Sequence, residues 1–180
     1  YICDVVGHGV TASLLTIFVR QSLRTIAKGN INLNKIMKEL HKTFLSLNLD
    51  YDKYFSVFFG IYNKDSHVFK YVNAGHNSVP ILISGKDIKK LMLKGYPIAN
   101  IFDNVDYIVE KVTLKVGDKI LLYTDGITET TNSEGVQFGV DRLINTIISD
   151  GNILENIKSS VNNFSIVHKD DYAVLLAEII

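Results

Sequence analysis

A continuous apolar stretch that runs directly into an acidic, glycine-bearing turn constrains this chain more than any other feature. Residues 120–123 are Ile-Leu-Leu-Tyr, and Asp125-Gly126 follows them closely. An unbroken apolar run of this length predicts a strand that is covered on both faces, and Asp-Gly predicts its end. A carboxylate at the end of a rigid strand is well placed to bind a metal ion. Asp-Gly is also a common turn dipeptide, and that plainer interpretation stays open.

Two further acidic positions adjoin predicted strands far away in the sequence. Asp4 follows a short apolar run and precedes glycines that open a predicted helix, and Asp170 precedes the stretch 172–180, which is apolar apart from Glu178. If the strands are neighbours in one core, the carboxylates of Asp4, Asp125 and Asp170 converge at one end of it. Clustered carboxylates repel one another unless a cation lies between them. An oxygen-only donor set suits magnesium, manganese or calcium, whereas the His/Cys spacing of a zinc site is missing from the sequence.

Five motifs occur in a fixed order along the chain. They are DVVGHG at 4–9, NAGHN at 73–77, YTDGITE at 123–129, NSEGVQFGVDRL at 132–143 and KDDYAVLLAE at 169–178. In this order they resemble the bacterial branch of the metal-dependent, type 2C-like protein serine/threonine phosphatases. That branch includes the sporulation stage II protein E and the stress-response sigma-factor regulators. The resemblance covers essentially the whole chain.

The resemblance implies a reaction and a set of site residues. The reaction is hydrolysis of phosphoserine or phosphothreonine on a regulatory protein, such as an anti-anti-sigma partner, by a metal-activated water. Asp4 would bridge two Mn²⁺ or Mg²⁺ ions, the backbone carbonyl of Val5 would contact one of them, and Asp125 and Asp170 would hold the other. These three aspartates are the candidate catalytic residues. For Asp171 two roles stay open: it either supports the metal ligands or caps the last strand.

Three other residues keep alternatives open. His8 and His76 lie in loops at strand ends, where a histidine can either pack or act in a site. Val6 stands where the resembled family has histidine or serine, so a phosphatase-like binding or output domain without turnover is an alternative. A two-metal hydrolase of a small phosphoester such as a nucleotide is another. Against that last alternative, the sequence contains no Walker-type glycine loop.

The composition limits the range of partners. The 180 residues carry 19 Lys plus Arg and 19 Asp plus Glu, so no basic field predicts nucleic-acid binding. The apolar runs are far shorter than the roughly 18 residues of a membrane span, and the single cysteine, Cys3, fits a reducing compartment. We therefore expect a cytoplasmic domain without direct membrane contact. The resemblance implies a phosphorylated protein substrate and an upstream sensor, which can be membrane-attached, and it leaves a homodimer open.

The chain opens at Tyr1, already inside an apolar strand. The resemblance implies further strands upstream, with another acidic motif, so we expect residues 1–180 to form a single phosphatase domain that is truncated at its N-terminus. Periodicity predicts helices over 11–27, 33–47, 140–148 and 153–164, separated by closely spaced strands. This order of elements predicts an α+β fold with antiparallel sheets. The resemblance sharpens it to a two-layer β-sandwich flanked by pairs of helices.

Several details of this fold are open to a structural check. Asn32 is expected to cap the second helix, and the strand over 107–114 is expected to form a hairpin with the strand at Ile120. Each helix is expected to turn one apolar stripe toward the core. In the first helix the stripe is Leu14, Leu15, Phe18, Val19, Leu23 and Ile26, and in the second it is Leu33, Ile36, Met37, Leu40, Phe44 and Leu47. In the third helix it is Leu143, Ile144, Ile147 and Ile148, and in the fourth it is Leu154, Ile157, Val161 and Phe164.

Overall fold

The computed structural model describes residues 1–165 and 171–180, and it divides into two compact units. The first unit comprises Tyr1–Asn77 and Met92–Leu114, and the second comprises Ser78–Leu91 and Lys115–Ile180. Each unit contains an antiparallel sheet and a pair of longer helices. The expected α+β fold with antiparallel sheets is therefore confirmed, whereas a single domain over the whole chain stays a prediction.

The helices and strands follow in chain order. They are β1 (Ile2–Val5), α1 (Gly9–Ile26), α2 (Leu33–Leu45), β2 (Tyr54–Asn63), β3 (Val68–Ala74), β4 (Ile81–Ser84), β5 (Asp87–Lys90), β6 (Ile98–Ala99), β7 (Val109–Thr113), β8 (Lys119–Tyr123), α3 (Asp125–Thr128), α4 (Gly139–Ile147), α5 (Ile153–Phe164) and β9 (Val174–Glu178). Within the described residues, no helix combines the length and the apolar character needed to cross a membrane.

The first unit is built on a sheet with strand order β1-β2-β3-β7, in which β6 also pairs with β2. Helices α1 and α2 pack against one face of this sheet through a buried apolar cluster. Phe44 lies at its centre, with its ring edge-on to Phe55 at 5.3 Å between ring centroids. Because strand side chains alternate between faces, Cys3, Val5 and Phe55 join this cluster while their sequence neighbours point away from it.

The second unit has the strand order β5-β4-β8-β9, with β8 between two neighbours. Four of the five residues of β8 are buried, as an unbroken apolar run predicts. Helices α4 and α5 pack on this unit's core through Leu143, Ile147, Ile157 and Val161. The short helix α3 begins shortly after β8, at the position where the residue pattern predicted only a turn.

The expected hairpin between β7 and β8 is wrong. Strand β7 pairs with β3 in the first unit, and β8 pairs with β4 and β9 in the second. The intervening turn is held by distant backbone groups, because the Leu114 N–H donates to His67 O and the Gly117 N–H donates to Ile179 O, both at 2.8 Å. Two strands joined by a short turn therefore enter different sheets.

The apolar stripes of the helices are largely as predicted, with three exceptions. Leu14 is 61% exposed, Ile148 is 56% exposed and Leu47 is 40% exposed. The prediction was wrong for these residues because Leu47 and Ile148 lie beyond the ends of their helices, and Leu14 lies outside the arc of α1 that carries Leu15 and Val19. The predicted cap is confirmed, since Asn32 Oδ1 accepts the Lys35 N–H at 3.0 Å.

A second asparagine cap provides a test of local helix stability. Asn152 Oδ1 accepts the backbone N–H groups of Leu154 and Glu155, at 3.0 and 3.2 Å. We expect Asn152→Ala to lower the free energy of unfolding by about 1 kcal/mol and Asn152→Asp to retain most of it. Asn162→Ala, an exposed change within the same helix, is the control and should be neutral or slightly stabilising. Urea denaturation measures all three, and equal losses for Asn152→Ala and Asn162→Ala would contradict the capping role.

Candidate functional site

Asp4 lies on β1, the edge strand of the first unit's sheet. Its partner across the antiparallel pair is Ser56 of β2, and the pairing continues to Val6, whose N–H donates to Tyr54 O at 3.2 Å. The Asp4 side chain is half-buried. A carboxylate in this position is held by the sheet on one side and retains access to a ligand on the other.

The residues that flank Asp4 fix its surroundings. Gly7 and Gly9 have φ values of +87° and +77°, which residues other than glycine rarely adopt. These angles let the chain turn sharply from β1 into α1. His8 is the N-terminal cap residue of α1 but makes no side-chain capping bond. Burial raises the pKa of the Cys3 thiol, and the nearby Asp4 adds to this shift, so Cys3 behaves as a packed apolar group.

Asp125 is the first residue of α3, immediately after the buried strand β8. Its side chain is half-buried, and its backbone carbonyl accepts the Glu129 N–H at 2.8 Å. The predicted acidic turn is thus a short helical turn mounted on the end of a central strand. Tyr123, the last residue of that strand, is buried, and this burial raises the pKa of its hydroxyl group to about 12.

The turn that carries Asp125 is tied to the start of the last strand. Thr124 and Ala173 exchange two hydrogen bonds, from the Thr124 N–H to Ala173 O at 3.1 Å and from the Ala173 N–H to Thr124 Oγ1 at 2.9 Å. Gly126 lies so close to this segment that a Cβ atom there would stand 2.5 Å from Asp171 O. The geometry therefore holds Asp125 next to the segment that begins at Asp171.

The other predicted site residues have different outcomes. Asp170 lies outside the described residues, so its predicted role as a ligand stays a prediction. Asp171 is exposed. Among residues 1–165 and 171–180, no group of three or more His, Cys, Asp or Glu side chains is gathered as a metal site. Asp4 belongs to the first unit and Asp125 to the second, and each is described within its own unit.

His76 belongs to the first unit and is buried, with 3% of its surface exposed. Its Nδ1 atom lies 3.3 Å from Ser56 Oγ, on the residue that faces Asp4 across the strand pair. The sequence reasoning singled out His76 but missed Ser56. Ser56 could have been noticed as a small polar residue inside the otherwise apolar run 55–59. Its position opposite Asp4, however, follows only from the register of the two strands.

Comparison with known families adds to this geometry. The family model described as Stage II sporulation protein E (SpoIIE) matches residues 1–180. The chain belongs to the SpoIIE family. The resemblance that the five motifs carried is therefore confirmed, and the SpoIIE match includes both aspartates described above.

Two relatives of this SpoIIE-family chain, RsbU and RsbP of Bacillus subtilis, are named phosphoserine phosphatases. The chain is 30% identical to phosphoserine phosphatase RsbU of Bacillus subtilis over 136 residues, which is 74% of this chain and 40% of RsbU. The chain thus spans less than half of that relative's length. The phosphatase domain of SpoIIE from Bacillus subtilis, solved with a fragment of its regulatory domain, superposes with a TM-score of 0.79 at 20% identity, covering 98% of this chain and 53% of that one. The structure of RsbX in complex with magnesium superposes with a TM-score of 0.71 at 18% identity, and the match covers 99% of this chain and 79% of that one.

Proposed function

We propose that this chain is a metal-dependent phosphatase domain that hydrolyses phosphoserine or phosphothreonine on a regulatory protein. The observation that carries the proposal is the mounting of Asp125, a half-buried carboxylate at the end of a buried strand in a chain that belongs throughout to the SpoIIE family. The name of RsbU, phosphoserine phosphatase, supports the same reaction class.

The proposed ligands are the carboxylates of Asp4, Asp125 and Asp170 and the backbone carbonyl of Val5. The donor set fits Mg²⁺ or Mn²⁺, because all four groups are oxygen donors of the kind that hard divalent cations prefer. Magnesium in the RsbX structure supports this choice. When bound, a pair of such ions lowers the pKa of a water molecule and stabilises the charge on the attacked phosphoryl group.

The protein's own part in this proposal is to hold oxygen atoms in place. Strand β8 and the Thr124–Ala173 hydrogen bonds fix the start of α3, and β1 fixes Asp4. Fixed ligands lose little freedom when they bind an ion, which is why sites on strand ends are more exact than sites on free loops.

We also propose a setting for this activity. The substrate would be a phosphorylated signalling protein, such as an anti-anti-sigma-type partner, and the domain would be the cytoplasmic output of a larger, sensor-containing protein that can form a homodimer. The 40% share of RsbU that the chain spans supports the presence of further regions in such proteins. The balance of 19 basic and 19 acidic residues gives the chain no basic excess of the kind that favours nucleic-acid binding.

The test is phosphate release from a phosphoserine peptide by the full-length protein, with Mn²⁺, with Mg²⁺ and with EDTA. We expect release that requires either ion and stops with EDTA. A nucleotide monophosphate is the second substrate, and hydrolysis of the nucleotide but not of the peptide would favour a small-phosphoester hydrolase. If the protein binds metal but hydrolyses neither substrate, even in the presence of activating partners, the result would indicate a phosphatase-like binding domain without turnover.

A further inference from the structure

Ser56 is the nearest cross-strand neighbour of Asp4. The two residues are directly opposed in the antiparallel pairing of β1 and β2. Directly opposed side chains project from the same face, with Cβ atoms about 4.5–5.5 Å apart. Neighbours on these strands, Val5, Phe55 and Val57, point into the apolar cluster under α1 and α2. Asp4 and Ser56 therefore share the other face of the sheet.

His76 supports Ser56 from the loop that follows β3. The Ser56 hydroxyl and His76 Nδ1 are 3.3 Å apart, and the imidazole is 3% exposed. A hydrogen bond to a buried ring restricts the rotation of the serine side chain, because few waters compete for its oxygen. This hydrogen bond therefore connects the loop at residues 73–77 to Ser56, the residue opposite Asp4.

The loop itself is held tightly, so the position of His76 is fixed. Asn73 Oδ1 accepts the His76 N–H at 2.7 Å, and Asn73 Nδ2 donates to His76 O at 2.9 Å and to Leu93 O at 2.7 Å. Gly75 has a φ of +76°, and a Cβ atom there would stand 2.6 Å from Pro97 N. A Cβ at Gly95 would stand 1.8 Å from Asn73 O. Close backbone packing and the Asn73 clamp together orient the imidazole.

We propose that Ser56 and His76 are positioning residues that orient the Asp4 carboxylate for metal binding. This inference rests on the proposed function, since it takes Asp4 as a ligand. Groups that orient a metal ligand typically change metal affinity by about 10–100-fold when they are removed. A histidine that only stabilises its loop would not show coupling to Asp4, and this difference makes the inference testable.

The experiment is a double-mutant cycle on Mn²⁺ affinity, measured by isothermal titration calorimetry on the full-length protein. Ser56→Ala should weaken Mn²⁺ binding about tenfold in the wild-type background. In the Asp4→Asn background the same change should cause little further loss, because the ligand that Ser56 orients is already impaired. Ser133→Ala, an exposed serine in a loop of the second unit, is the control and should keep wild-type affinity.

Two variants of His76 complete the test. His76→Leu removes the hydrogen bond and places an apolar side chain in the buried position. It should weaken Mn²⁺ binding as Ser56→Ala does, and it should cause little further loss in the Asp4→Asn background. His76→Asn places an amide near the position of Nδ1 and should recover part of the affinity. Circular dichroism and thermal unfolding identify any variant that fails to fold, in which case the Ser56→Ala cycle decides the question.

The outcomes separate this inference from the proposed function. Unchanged Mn²⁺ affinity in Ser56→Ala, or an equal loss with and without Asp4, would overturn the positioning role. If the wild-type protein binds Mn²⁺ but releases no phosphate from the peptide, the proposed function fails and the cycle still decides the positioning role. If the wild-type protein binds no Mn²⁺, both are overturned.

Discussion

Asp125→Asn is expected to reduce Mn²⁺-dependent phosphate release from a phosphoserine peptide by at least about a hundredfold, equivalent to about 2.7 kcal/mol of transition-state stabilisation. Asparagine has nearly the same shape as aspartate, so α3 and its contacts should persist. The amide lacks the charge that makes a carboxylate a strong ligand of a hard cation. The loss should therefore appear in turnover and in Mn²⁺ affinity, with the free energy of unfolding little changed.

The matched control for this variant is Glu134→Gln. Glu134 is an exposed carboxylate in the loop between α3 and α4, so the change removes the same charge away from the proposed site. We expect it to retain wild-type turnover and Mn²⁺ affinity. Turnover by Asp125→Asn that equals that of Glu134→Gln would remove Asp125 from the set of ligands.

Gly126→Ala is expected to affect both stability and activity. The added Cβ would stand 2.5 Å from Asp171 O and 3.2 Å from Tyr172 Cβ, so the backbone of residues 171–172 must move away from the turn. Forcing extra volume into a packed position typically costs about 1–3 kcal/mol. Because Asp170 directly precedes the displaced segment, we expect Mn²⁺-dependent phosphate release to fall as well. Urea denaturation and the phosphopeptide assay measure the two effects.

Gly85→Ala separates the contact from the general cost of replacing a glycine. Gly85 has a φ of +61° and open space around its Cβ position, so alanine there meets backbone strain of about 1 kcal/mol but no clash. It should keep full activity. If Gly126→Ala unfolds no more easily than Gly85→Ala and is equally active, the close approach to Asp171 is not important for the site.

Local patterns predicted the helices well because each depends on residues close together in the chain. The fourth predicted helix, over 153–164, has the bounds that the structure gives to α5. The first and second helices end within two residues of the predicted positions, and Asn32 caps as expected. Apolar spacing and capping are short-range effects, so the residues themselves carry this information.

Strand pairing was predicted less well because it depends on contacts between distant residues. The turn between β7 and β8 has the composition of a hairpin, with Gly117 at a φ of +89°. Its bonds to His67 and Ile179 nevertheless direct the two strands into separate sheets. A short turn is compatible with either arrangement, and the hydrogen bonds of distant strands select between them.

The sequence by itself determined the family, the α+β class and the two aspartates at strand ends, because apolar periodicity and turn residues are local and the motif order is linear. Only the tertiary structure decided that Ser56 faces Asp4 and that His76 contacts Ser56. Those relations join residues that are 52 and 20 positions apart in the chain. They depend on strand register, in which a shift of one residue turns every side chain to the opposite face, and on a loop conformation that Asn73 and Gly75 fix.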